Sequence, residues 1–377
     1  MEPVASYFKF NQTGAFSVDW YIGKRCNFAC SYCVDYLHDY TSPHVPLENM
    51  TKLVDHINEK QGANVLWSLT GGEPTIHPKF LDLCAYIKEK GSRYTSVTTN
   101  GSRTLEYHKQ LFDLVDGITQ SFHFEFMEHR IDEYIHKFIE LEKYRLELNS
   151  KLKKGEPKKT LILRFMVETG QLENVKRMED AYRAAGITNI EHRYIRPPSE
   201  NKGKGMQPEE KFDFKDSNDP NQITEKTKVE KIETNEAKYY AAEEQKEIKK
   251  IYQKSTADPD KRKLKFWFYD GENYQEEDYH YNELNFDKKN NYQGWLCWAG
   301  VKHLKVTPTG DIYIGSCHVG GKRGNIFDKD SIDLPVQPIR CNKWRCTDNT
   351  DLKVPKIKDW EHYHLIKDMI EWTNNEQ

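Results

Sequence analysis

The sequence predicts an α/β protein built on a parallel sheet. Two observations carry this. Six strand-like segments, each followed by a loop or by residues at helical apolar spacing, alternate between residues 16 and 196. The residues able to do chemistry fall at or near the C-terminal ends of those strands, the edge where loops of a parallel sheet build a site. Repeated β-then-α units imply right-handed crossovers. A doubly wound sheet and a barrel both fit that pattern.

The 377 residues are 37% hydrophobic and 12% aromatic, which supports a sizeable core, and 31% charged, which implies a well-solvated surface. A net charge of −3 makes no global case for nucleic acid or a membrane. The N-terminus lacks a basic-then-apolar signal, and no apolar run approaches ~20 residues. The expected compartment is the cytoplasm. Seven of the eight cysteines fall into two metal-like groups rather than suggesting disulfides.

In chain order, residues 1–15 read as a cap or strand, too short for a separate peptide-recognition domain. Residues 16–23 form the first strand of the repeat, and a cysteine-bearing loop follows. Leu47, Met50, Leu53, Val54 and Ile57 then mark a helix. Residues 64–69 are a strand ending in Thr70-Gly71-Gly72-Glu73-Pro74. Phe80, Leu83, Cys84 and Ile87 share one helix face, so Cys84 reads as core. Residues 94–100 are a strand, 105–115 a helix and 117–124 a strand. Ile131, Ile135, Phe138 and Leu141 mark a long helix before the strand at 160–167. Leu172, Val175, Met178 and Tyr182 mark a helix stopped by Gly186, and 190–196 is the sixth strand.

Pro197-Pro198 ends the pattern. Residues 199–263 are rich in Lys, Glu and Asn, with a thin stripe at Val229, Ile232, Ile248 and Ile251. They read as a solvated helical arm, or as a lid or docking element. An aromatic strand at 263–269 leads into a polar link. Residues 304–314 read as a hairpin turning at Thr309-Gly310, and 360–372 as a closing helix. The resulting units are 1–198, 199–290, 291–350 and 351–377.

The first chemical group is Cys26, Cys30 and Cys33, at i, i+4 and i+7 directly after a strand. Three close thiolates on one loop suit a cubane iron–sulfur cluster with one iron left open for a ligand. A zinc site normally draws four ligands, and a disulfide would strand one cysteine. The second group is Cys297, Cys317, Cys341 and Cys346. Four thiolates saturate one [4Fe-4S] cluster, or they close a structural zinc knuckle.

The stretch from Cys26 to Cys33, with Tyr32 as its aromatic residue, resembles the C-x3-C-x-aromatic-C signature of the radical S-adenosylmethionine superfamily. Gly71-Gly72-Glu73-Pro74 resembles that superfamily's GGE motif. The resemblance implies a six-stranded partial (β/α)6 TIM barrel, with a radical [4Fe-4S] cluster on the three cysteines. It implies that the Gly71–Gly72 backbone and Glu73 hold the methionine amino group of S-adenosylmethionine. Asn100 and Ser121 are candidates for the ribose. Arg164 could fork the cofactor carboxylate, and His123 could touch cofactor or substrate. Each of these four is also consistent with a polar residue finishing a strand. The resemblance further implies reductive cleavage to a 5′-deoxyadenosyl radical that takes a hydrogen atom from substrate, fed by an external donor such as flavodoxin or ferredoxin.

The surroundings of the later four cysteines resemble a twitch domain, the short relative of SPASM. The full seven-cysteine SPASM pattern is absent, so one auxiliary [4Fe-4S] cluster is implied. Such relatives suggest an oxidoreductase that modifies a peptide or protein side chain, with recognition by a separate protein or by the charged insertion. A dehydrogenase acting on a sugar or aminocyclitol is the alternative. With Cys84 on a buried face, no free thiol is expected in the cleft to return a hydrogen atom, so an oxidative outcome is expected.

Overall fold

The computed structural model describes residues 1–8, 15–33, 37–195, 263–280, 289–346 and 348–370, with 241, 243–244, 246–247 and 284. The apolar stripe expected at Val229, Ile232, Ile248 and Ile251 lies outside the described residues.

The chain opens with β1 (Glu2–Phe8), then β2 (Phe16–Tyr21), α1 (Leu47–Gln61), β3 (Val65–Thr70), α2 (Phe80–Lys90), β4 (Tyr94–Thr99), α3 (Leu105–Leu114) and β5 (Gly117–His123). Next come α4 (Phe124–Met127), α5 (Ile131–Ser150), β6 (Thr160–Val167), α6 (Leu172–Ala184) and β7 (Ile190–Tyr194). Strands β2 to β7 are neighbours in that order, and every pairing among them is parallel.

The period-2 pattern sorts each strand into two faces. Phe16, Val18 and Trp20 of β2, Val65, Trp67 and Leu69 of β3, and Leu161, Leu163 and Phe165 of β6 are buried. They pack in one cluster with Met50, Leu53 and Ile57 of α1, Leu83 and Ile87 of α2, Phe112 of α3, Phe138 and Leu141 of α5, and Met178 of α6. The helices therefore share one face of the sheet. The alternate strand positions Asp19, Tyr21, Ser68, Thr70, Ser96, Arg164, Met166, Glu191 and Arg193 are half-buried. That second face is largely polar, and the site residues belong to its end.

Beyond β7 the chain adds β8 (Lys263–Tyr269), β9 (Tyr274–His280), β10 (Leu296–Cys297), β11 (His303–Val306), β12 (Asp311–Tyr313), β13 (Lys322–Asn325) and β14 (Ile339–Arg340). It closes with α7 (Asn349–Lys353) and β15 (Lys356–Ile357). The hairpin β11–β12 forms with its turn where expected, but it does not stand apart. β11 pairs in parallel with β2, and the large sheet runs β13-β12-β11-β2-β3-β4-β5-β6-β7.

A second sheet runs β14-β10-β15-β1-β8-β9. Of the two readings of the N-terminal residues, cap or strand, the strand is the one formed: β1 pairs with β8 and β15, with Val4 and Ala5 buried. Two other expectations are corrected. The polar link after 269 is strand β9, whose Lys265–Glu276 and Lys265–Asp278 ion pairs knit it to β8. The closing helix expected over 360–372 is a 3-10 segment, Trp360–Leu365, and one short helix, α8 (Lys367–Ile370). Asp359 starts that segment by accepting a hydrogen bond from Glu361 N. Among the described residues no helix is long and apolar enough to cross a membrane.

Candidate functional site

The cysteine loop leaves β2 at the sheet's C-terminal edge. It is held there by its neighbour's backbone. Ile22 N donates to Thr70 O at 2.8 Å, Gly72 N to Gly23 O at 2.8 Å and Glu73 N to Arg25 O at 2.9 Å. This closeness explains both glycines. A Cβ on Gly72 would overlap the carbonyl oxygens of Lys24 and Arg25. Gly71 has φ 138°, and a Cβ there would lie 2.7 Å from Gly23 O. Pro74 then starts a buried 3-10 turn, Pro74–Ile76.

Glu73 is only 3% exposed and is the hub of the edge. Its Oε1 accepts from Thr75 N at 3.0 Å, Thr75 Oγ1 at 2.5 Å and Thr99 Oγ1 at 2.7 Å. Its Oε2 accepts from Asn100 N at 2.6 Å. Burial pushes the carboxyl up, and the donors at Asn100, Thr75 and Thr99 pull against that. The Glu73 side chain is thus spent on joining the ends of β3 and β4. Asn100, 5% exposed, donates through Nδ2 to Asn27 Oδ1 at 2.9 Å, and Asn27 Nδ2 donates to Ser102 Oγ at 2.9 Å. Gln120 Nε2 donates to the carbonyls of Asn100 and Ser121, both at 2.8 Å.

Further along the edge, His123 Nδ1 lies 2.6 Å from the Tyr32 hydroxyl and 3.3 Å from Cys30 Sγ. Burial, reinforced by Arg164, lowers His123 to about 4, so the imidazole is neutral. Glu125 of α4 accepts from Ser31 N at 2.8 Å and also from Ser31 Oγ. Burial raises the Tyr32 hydroxyl and the Cys30 thiol, and lifts Cys26 to about 11. A thiolate in this loop needs a cation beside it, which suits soft metal binding at sulfur.

Ser121, Arg164 and Glu191 stand in register across β5, β6 and β7. Arg164 Nε donates to Glu191 Oε2 at 2.9 Å, so part of its fork is engaged by the protein. Ser121 is 5% exposed. Cys84 is fully buried in α2.

Cys297, Cys317, Cys341 and Cys346 line one cavity, together with Lys343, Arg345, Asp351 and Lys356. Chain segments from β10, the loop after β12, and the stretch after β14 bring them together. Asp351 accepts from Ser316 N at 2.8 Å and Cys317 N at 2.7 Å, which fixes the Cys317 loop. Burial raises all four thiols. A single zinc ion with ~2.3 Å bonds needs sulfurs about 3.8 Å apart. Among the described residues the only three metal-binding side chains with ligand atoms all within 4.8 Å of one another are Asp359, Glu361 and His362. Both cysteine groups are therefore more widely spaced than a one-ion site.

Residues 20–203 match the model of the Radical SAM superfamily. That stretch is just under half of the chain, and the members of the superfamily it resembles are enzymes. Part of the chain is similar to part of the GTP 3′,8-cyclase of Pectobacterium atrosepticum, at 37% identity over 83 residues, 21% of this chain and 25% of that protein. It is also similar to an S-adenosylmethionine-dependent nucleotide dehydratase of Selenomonas ruminantium, at 28% identity over 91 residues, 24% of this chain and 32% of that protein. The matched stretches thus span only a quarter to a third of these relatives. Among solved structures, Streptococcus suis SuiB bound to its precursor peptide SuiA aligns over 86% of this chain and 66% of its own, with TM-score 0.48 and 15% identity.

Asn27, Thr75, Gln120 and Glu125 escape sequence reading, whereas Thr99 falls at a strand end beside Asn100 as the sequence places it. Gln120 carried the best signal, a polar residue at a core-facing position of an apolar strand.

Two outcomes are expected. Gly72→Ala forces the loops apart and lowers stability by ~1–3 kcal/mol. Denaturant melts read it; a change under about 0.5 kcal/mol would show that the loops part freely. The second concerns Glu168, whose Oε1 is buried without a partner. Burial and the nearby Glu125 raise it from 4.5 to about 7. The folded chain then holds this proton more tightly than the unfolded chain, so stability falls as pH rises through that window. Glu168→Gln should melt above wild type near pH ~8, and the gain should vanish near pH ~4. An equal gain at both pH values would refute a charge effect.

Proposed function

We propose that the protein is a radical S-adenosylmethionine enzyme that oxidatively modifies a peptide or protein side chain. The observation that carries this reading is the pairing of two separate cysteine groups, three on a loop at the sheet's C-terminal edge and four around one cavity. The helices' cover of one face only favours a partial (β/α)6 barrel over a doubly wound sheet. The four-cysteine unit is read as twitch-like.

A [4Fe-4S] cluster at Cys26, Cys30 and Cys33 would supply the electron that cleaves the sulfonium cofactor. The protein's share is orientation. The Gly71–Gly72 backbone and the Asn27–Asn100 bond fix the loop's height above the sheet. Glu125 pins Ser31 between two of the cysteines. With the Glu73 carboxylate engaged by its four donors, the cofactor's amino group is left to the main chain of 71–73. Asn100 and Ser121 remain the ribose candidates, and Arg164 reaches a carboxylate only through guanidinium donors other than Nε. A second cluster at Cys297, Cys317, Cys341 and Cys346 would accept one electron from the substrate, giving a new bond or a carbonyl. An external flavodoxin or ferredoxin is the donor, and a separate peptide-recognition protein is a partner under this reading.

The similarity to a nucleotide dehydratase and a GTP cyclase favours, as a second reading, a small-molecule substrate; the sugar or aminocyclitol dehydrogenase belongs to that class.

The test is anaerobic reconstitution. Wild type should hold about eight irons per chain and the Cys26/Cys30/Cys33→Ala variant about four, with cofactor cleavage lost. Short peptides encoded beside this chain's gene should leave the reaction lighter by two hydrogens. A product of unchanged mass carrying one deuterium in deuterated water would point to epimerisation, and turnover of small alcohols alone would support the second reading.

A further inference from the structure

Lys356 of β15 is a lysine at only 2% exposure. Its place is set by register. It lies directly opposite Cys297 in the antiparallel pair β10–β15 and opposite Ser6 in the pair β1–β15. Cross-strand partners project to the same face with Cβ atoms about 5 Å apart. Lys356 and Cys297 accordingly line the same cavity as Cys317, Cys341 and Cys346.

The ammonium is anchored without being neutralised. Nζ donates to the carbonyls of Asp351 at 2.6 Å, Val354 at 2.7 Å and Leu352 at 3.5 Å. These are carbonyls at the end of α7, that of Asp351 being shared with Val354 N, and a cation there is favourable. It also lies 4.9 Å from the centre of the Tyr292 ring, and the Tyr292 hydroxyl is fixed 3.1 Å from Ser6 Oγ. Every one of these partners is formally neutral. The nearby Asp351 carboxylate is turned to Ser316 N and Cys317 N instead. A full positive charge buried in this way is costly unless an anion faces it. Four thiolates around an iron–sulfur core are such an anion, and each added electron makes them more negative.

We propose that Lys356 is the counter-charge of the four-cysteine site and raises the reduction potential of the cluster held there. This rests on the reading that those cysteines hold a [4Fe-4S] cluster. Net charge near a cluster is one of the levers that sets its potential. A cation inside the wall favours the reduced state, as a site that takes an electron from substrate requires. Lys356 acts as a positioning residue and touches no substrate.

The test uses the full chain in the Cys26/Cys30/Cys33→Ala background, where only the second cluster is left. Lys356→Gln keeps a donor for the carbonyls and removes the charge. Lys356→Arg keeps the charge. Potential-controlled titration followed by electron paramagnetic resonance reads the midpoint. In Lys356→Gln the reduction equilibrium should shift at least about tenfold toward the oxidised state, 59 mV for one electron, while Lys356→Arg stays near the parent. An unchanged midpoint in Lys356→Gln at full iron content overturns the proposal and leaves the cluster reading intact. If Lys356→Gln takes up no iron while Lys356→Arg does, the charge is needed to hold the cluster and the proposal stands. If both variants lose iron, the role is packing and the proposal falls. A parent that holds zinc and no iron removes the cluster reading, and this inference with it.

Discussion

The site depends on one close approach: the main chain at 71–73 runs against the main chain at 23–25 with no side chain between them. Only glycine permits it at Gly72, because any Cβ would occupy the space of two carbonyl oxygens. The approach extends the β2–β3 pairing past the strand ends and carries the cysteine loop with it. Glu73, next in the chain, then turns inward and gathers donors from β4 and its loop. A geometry that begins with two absent side chains thus ends in a buried carboxylate joining three neighbouring segments. The carboxylate's burial is tolerable because both oxygens accept hydrogen bonds.

The same logic runs through the rest of the edge. Each strand end contributes a polar group that is satisfied by the next. Asn27 meets Asn100, Gln120 reaches the carbonyl of Asn100, Glu125 meets Ser31, and Arg164 meets Glu191. Rigidity at the mouth of the sheet therefore comes from hydrogen bonds between loops. The strands beneath hold the loops at fixed spacing through aromatic packing, with Phe122 set against Phe138 and Phe165. Thiols in this setting are raised by burial, and metal binding is the event that favours their ionised form.

Much of this was legible in the sequence because it is periodic or local. The six strands and the helices between them follow apolar spacing, and β2 to β7 appear where alternation placed them. Cys26, Cys30 and Cys33 are close in sequence and need no tertiary knowledge. What was not legible is long-range. Nothing in Glu2–Phe8 states that it pairs with Lys263–Tyr269, because strand propensity does not name the partner strand. The polar strand Tyr274–His280 is hidden by its charges, which are matched across the pair by Lys265 rather than by any local pattern. The closing 3-10 segment lacks the sustained spacing of a helix, yet its aromatic residues imitate one. Glu73 was read from a motif as a ligand holder, and only the tertiary contacts reveal that its oxygens already have partners.

The two cysteine groups differ in how they are built. The first is a single loop whose shape is imposed from outside by neighbouring loops. The second is assembled from segments spread over residues 297–346, and part of its geometry is imposed by a sheet: β10 sits between β14 and β15, so Cys297 has a fixed neighbour on either side. Under the proposed reading, three thiolates on a loop would leave one iron of a cluster open to a ligand, and four would leave none, which would suit electron transfer rather than substrate binding. β11 connects the two, because it continues the large sheet beside β2 and is followed within one hairpin by Cys317. The β2–β11 pairing places the Cys317 loop relative to β2 by main-chain hydrogen bonds, whereas Cys297 lies on the second sheet and meets Ile314 and Val319, on either side of Cys317, through apolar packing.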